Sequence, residues 1–188
     1  ISQALERLMD DFIRPNIEKM TEWLEWRHER LYTLDVSDLL QVNSKNLRAV
    51  YKHVANLKAP MIRITRSEIK MQSFGVMPSV DQFIFLLHGQ LIGLTDAEIA
   101  TSFFLSKMTV ANETLHGDQE YAFLRFEEFM EFIGRLAYYK YEGCYEDQQW
   151  SLRQKISIIL NFLLSTIGKK RKDPPEIEDE ISSTDEEY

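Results

Sequence analysis

Cysteine is scarce in this chain. One cysteine, Cys144, stands among 188 residues, so no internal disulfide can form and a thiolate zinc cage lacks its ligands. The fold must then rest on an apolar core, for which the length and a 44% hydrophobic content suffice. No apolar run approaches the roughly 20 residues that a bilayer-spanning helix needs, and the N-terminus lacks the basic-then-apolar order of a secretory signal. These absences give the expectation of a soluble, intracellular protein without a membrane partner. The chain starts at Ile1 rather than Met, as a fragment or a processed product does. An excess of positive charge is missing too: the net charge is −8, which argues against whole-protein affinity for nucleic acid.

The usual catalytic signatures are also absent. His28, His53, His88 and His116 are scattered singly, and none belongs to a His-Glu-x-x-His motif. Gly168 and Lys169 lack the upstream glycine and the following Ser or Thr of a phosphate-binding loop, and no Gly-x-Ser-x-Gly elbow exists. Cys144 has Glu142 and Glu146 as neighbours, which would raise a thiol pKa rather than activate it. The expectation is a non-enzymatic protein with no cofactor and no metal.

What is present is helical periodicity. Leu5, Leu8, Met9, Phe12 and Ile13 begin an amphipathic stripe that Ile17, Met20, Leu24 and Leu31 continue past a kink or restart at Pro15. Trp23, Trp26 and Tyr32 would dock this arm onto the body or a partner. Residues 35–43 read as one or two helical turns, and Ser44 then caps a helix through Val54. Thr65 with Glu68, Ser79 with Gln82 and Thr95 with Glu98 each spell a capping box. A further helix runs through Phe129 to Tyr141, and a last one from about Trp150 is ended by Gly168. The chain therefore reads as all-α: an N-terminal helical arm (1–34), a paired helix-loop-helix region (35–142), a C-terminal packing helix (143–168) and a disordered, basic-then-acidic tail (169–188).

Two segments fit the twelve-position frame of a calcium loop, in which oxygen ligands stand at 1, 3, 5, 9 and 12, a carbonyl at 7 and glycine at 6. In the first, from Leu57, Ile64 takes position 8 and Glu68 position 12; in the second, from Gly117, Leu124 takes position 8 and Glu128 position 12. The ligand chemistry is missing. Positions 1, 3 and 5 read Leu57, Ala59 and Met61 in the first loop and Gly117, Gln119 and Tyr121 in the second, where Arg125 at position 9 would repel a cation. Glu68 and Glu128 are left as loop-closing residues, and Ile64 should pair with Leu124. An Ile or Leu four residues before a helix-opening Glu is also a common helix start, so an unrelated helical bundle is the competing architecture.

The run Ser106, Lys107, Met108, Thr109, Val110, followed by Phe126, Glu128, Phe129 and Glu131, resembles EF-hand-like segments of ciliate-protist and axonemal proteins. The resemblance spans about residues 35–141. It implies a calcium-independent scaffold in a ciliary or cytoskeletal assembly, with protein partners and no catalytic residues. An EF-hand-like pair can hold a partner helix in an apolar groove; Met71, Phe74, Phe103, Phe104, Met108, Met130 and Phe132 are candidates to line it, with plain core residues as the alternative. The competing function is a calcium sensor with unconventional ligands Asp118, Glu120 and Glu128. Residues 169–172 are basic, which fits a nuclear-import signal, a contact with an acidic partner or a solvated helix end. Ser182, Ser183 and Thr184 sit in an acidic setting suited to phosphorylation.

Overall fold

The computed structural model describes residues 25–58, 77–91, 93–108 and 122–174, and these residues contain no strand. A π-helical turn, Arg27–Leu31, leads into α1 (Leu34–Ala55). There follow α2 (Val80–Leu87), α3 (Asp96–Leu105), α4 (Phe126–Tyr141), a short α5 (Tyr145–Gln149) and α6 (Leu152–Ser165). The chain is predominantly helical, as its periodicity requires. Ser79 with Gln82 and Thr95 with Glu98 form the expected reciprocal capping boxes, and Ser151 with Gln154 adds a third at α6.

One helix differs from its sequence reading. The turns expected at 35–43 and the helix expected from Ser44 are one continuous helix, α1. The reason is Asn43, which is fully buried in mid-helix. Its amide Nδ2 donates to Leu39 O one turn back at 2.8 Å and to Lys172 O at 2.8 Å, while its Oδ1 accepts from Lys172 N at 2.8 Å. A polar residue satisfied in this way does not break a helix, so Ser44 has no start to cap. Val36, Leu39, Leu40, Leu47, Val50, Tyr51 and Val54 then form one buried stripe along α1.

The axis of the molecule is α4. Ten of its sixteen residues are buried, because it is covered by α1, α3 and α6 at once. Phe129 and Phe132 project from it into an aromatic cluster with Phe83 of α2 and Phe103 of α3. The Phe83 and Phe132 rings lie 4.6 Å apart, and Phe83 stacks on Phe129 at 5.7 Å. All four rings have no exposure, and truncating any one to Ala would cost about 3–5 kcal/mol. Leu136, Ile133, Ile156, Ile159, Leu160 and Leu163 complete the core on the α6 side.

The segment before α1 closes over the same helix. Trp26 is buried and sets its ring edge-on to Tyr138 at 5.5 Å, so one of the three aromatics expected to dock the arm does so. Tyr32 is 56% exposed, and Trp23 lies outside the described residues. Leu31 packs onto Gly134, where a Cβ would stand 2.3 Å from Leu31 Cδ1. Any larger residue there would have to push the end of the Leu31 side chain aside, in the middle of a helix that would otherwise favour alanine.

At the other end the expected tail begins too early. Gly168, at φ +66°, turns the chain out of α6 while Lys169 N bonds back to Leu164 O at 2.9 Å. The next residues do not leave the body. Asn43 holds both backbone groups of Lys172, and Arg171 donates to Ser157 Oγ at 2.8 Å and pairs with Asp173 at 2.7 Å. Residues 169–174 thus belong to the fold; a reading by charge alone had no access to a partner that lies 129 positions away.

Gly134→Ala should destabilise the protein by on the order of 1 kcal/mol, since overpacking costs about 1–3 kcal/mol and the gain in helix propensity is about 1. In a Leu31→Ala background the same substitution should become neutral or stabilising. Urea denaturation of the four variants in a double-mutant cycle checks this.

Candidate functional site

Two connections, 59–76 between α1 and α2 and 109–121 between α3 and α4, are flanked by described residues that hold each pair of ends together as a neck. At the second neck Glu128, in the first turn of α4, is 1% exposed. Its Oε2 accepts from Arg125 N at 2.7 Å and its Oε1 from Met108 N at 2.8 Å, so one carboxylate joins the two ends of the loop. The counter-charge is Lys107. Its Nζ lies 2.7 Å from Glu128 Oε2 and 2.5 Å from Phe123 O, and its side chain is only 6% exposed. In the twelve-position frame Phe123 stands at 7 and Glu128 at 12, the carbonyl and the carboxylate that would bind a metal ion. A tethered ammonium is held between them instead.

The first neck has the same design in neutral form. Gln82 occupies the third helical position of α2, as Glu128 does in α4, and its Oε1 accepts from Ser79 N at 2.8 Å. Its Nε2 donates to Ala55 O at 3.0 Å and Leu57 O at 2.9 Å, tying α2 to the end of α1. An amide carries its own hydrogens to those carbonyls, so no separate cation is needed.

The necks meet in an isolated antiparallel bridge between Ser79 and Phe123. Leu124 N donates to Pro78 O at 3.0 Å. Pro78 has no N–H to return the bond, and Leu124 O accepts instead from the hydroxyl of Tyr51 on α1 at 2.6 Å. Leu124 itself has no exposure. Burial first, then the carboxylates of Glu127 and Glu128, push the Tyr51 phenol up to about 12.

A second polar cluster lies on the next turn of α4. Glu131 Oε1 accepts from Arg135 at 2.6 and 2.8 Å and from Arg27 Nε at 2.8 Å, and Arg27 also donates to Leu105 O at 3.3 Å. Arg135 is 1% exposed and lies 5.1 Å from the Trp26 ring. Desolvation lowers its pKa against the raising effect of Glu131. This cluster fixes the segment before α1. Beside it a cavity of about 310 Å³ is lined by Leu31, Tyr32, Leu40, Met130, Glu127 and Glu131.

The predicted residues scatter accordingly. Leu124 and Glu128 sit together at the second neck, whereas Ile64, Glu68, Met71, Phe74, Asp118 and Glu120 lie outside the described residues. The described backbone partners of Leu124 are Pro78 O and the Tyr51 hydroxyl. Of the groove candidates, Phe103 and Phe132 are fully buried core, Met130 lines the cavity, and Phe104 and Met108 are 51% and 44% exposed. Lys107, Gln82, Tyr51 and Asn43 went unrecognised as site residues. Only Gln82 gave a signal in sequence, through its capping box; the other three act across distances that periodicity does not encode. Among the described residues no group of three or more His, Cys, Asp or Glu is placed to hold a metal ion. No helix there is long and apolar enough to cross a membrane. No protein-family model matches the chain, and neither a curated protein nor a solved structure matches it.

Two outcomes follow from this geometry. Lys107→Met should cost about 3–5 kcal/mol by leaving Glu128 buried without its counter-charge, and Lys107→Met with Glu128→Gln should lose less than the sum of the single changes in a denaturation cycle. Tyr51→Phe should cost about 1–3 kcal/mol at neutral pH, because it leaves a buried carbonyl without its donor. The raised phenol adds a pH signature. An unfolded tyrosine ionises near 10, so the stability Tyr51 contributes is complete below pH 10 and is lost as pH rises from there through about 12. Denaturation at about pH 8 and about pH 11 should show a smaller alkaline loss in Tyr51→Phe than in the wild type.

Proposed function

We propose that this chain is a non-enzymatic protein-interaction module, a metal-free relative in design of paired calcium-binding helix-loop-helix units. The observation that carries the reading is the Lys107 ammonium between Phe123 O and Glu128. A loop whose remaining oxygens already hold an internal cation is closed at any calcium level, since the tethered amine competes at high effective concentration. The neutral Gln82 neck supports the same reading, because it closes without any ion. Such a body is a rigid scaffold rather than a switch.

Exposed apolar side chains supply contact area for partners: Leu34, Phe85, Phe104, Met108 and Tyr145 are all more than two-fifths exposed. The ciliary or cytoskeletal setting comes from the resemblance of residues 106–110 and 126–131 and is part of the proposal. Calorimetry of the full chain should give no binding heat with calcium up to millimolar concentrations. Partners recovered by the immobilised chain from ciliary extract should be the same in calcium and in chelator. Micromolar calcium binding that Glu128→Ala abolishes would replace this reading with the sensor, and an empty recovery would remove the scaffold.

A further inference from the structure

The contact between Asn43 and Lys172 has the form of ligand recognition. Asn43 grips the N–H and the C=O of one residue with one side-chain amide, a contact that reads extended backbone and ignores side-chain identity. The Lys169, Lys170 and Lys172 residues are exposed, and the nearby side-chain contact of the segment with a helix is Arg171 on Ser157 of α6. Arg171 is further oriented by Asp173 within the segment itself. Asn43 also makes its site dependent on an occupant. It has no exposure, and without the Lys172 backbone its Oδ1 would lose the N–H that it accepts from, a costly state for a buried acceptor.

We propose that the surface across α1 and α6 around Asn43 is a binding site for an extended basic segment of a partner protein, and that residues 169–174 fill it in cis as an internal stand-in. The recognised pattern is an arginine one residue before the position that Asn43 holds. Backbone capture supplies register, and the Arg171 to Ser157 bond supplies the choice of side chain. The cis segment is tethered at the end of α6, so its effective concentration is on the order of millimolar. A free segment with a Kd on the order of 100 µM is then weakened about tenfold by competition. The site is separate from the Lys107 and Glu128 neck, and its test is independent of calcium.

The test uses the full-length chain and a fluorescent, end-blocked peptide of residues 169–174. Lys172→Pro in the chain removes the N–H that Asn43 accepts, which weakens the hold on the cis segment while every side chain of the site on α1 and α6 is kept. Fluorescence anisotropy should show the peptide binding this variant at least about tenfold more tightly than it binds the wild type. The same peptide with Arg171→Ala, and a scrambled peptide, should bind at least several-fold more weakly; these changes cannot affect folding. Asn43→Ala in the Lys172→Pro chain should abolish binding. Equal affinity for wild type and Lys172→Pro, no binding to Lys172→Pro, or equal binding of the scrambled peptide would overturn the proposal.

Discussion

A carboxylate removed from water must find its counter-charge and its hydrogen bonds inside the protein, and the described structure is arranged around that requirement at Glu128. The residue is needed where it stands because its two oxygens close the loop between α3 and α4 by bonding Met108 N and Arg125 N. Once buried, it must be neutralised. Lys107 does so from the end of α3, and in reaching Glu128 it also takes Phe123 O. Position of helix, closure of loop and balance of charge are thus one problem with one solution. The helix ends cannot move apart without stranding an ion in the core.

The two necks show how different chemistry meets the same geometric demand. In both, the side chain at the third position of the exiting helix bonds the backbone N–H at its N-cap and reaches back to the end of the entering helix. Glutamate needs an external donor, which Lys107 and Met108 provide; glutamine carries donor and acceptor together. The bridge between Ser79 and Phe123 joins the necks, and Tyr51 supplies the bond that Pro78 cannot. The design favours permanence over response, in keeping with the scaffold reading. Glu131 repeats the principle one turn further along α4, where Arg27 and Arg135 share a single carboxylate and pin the segment before α1.

Much of the helical plan was legible before any coordinates. The capping pairs Ser79 with Gln82 and Thr95 with Glu98, the stripe from Phe129 to Tyr141 and the stop at Gly168 are all local patterns, and each appears as read. The break expected before Ser44 was wrong because Asn43 finds a partner far along the chain. The same contact, seen from its other side, holds Arg171 and Lys172 against the body, which charge alone did not reveal. The groove candidates Phe103 and Phe132 turned out to be core because an apolar stripe does not reveal how many helices cover it, and α4 is covered on three sides. What Glu128 binds could not be read from sequence: Lys107 is 21 residues away, and its distance in space depends on how α3 meets α4.

Sequence by itself determined the helical class and the caps, because each depends on residues within a turn or two of one another. Tertiary structure decided the rest. It alone placed an ammonium between Phe123 and Glu128, gave Leu124 its Tyr51 and Pro78 partners, and seated residues 169–174 on Asn43. These are pairings between chain segments that fold to common points, and their energies depend on burial, which no local pattern specifies.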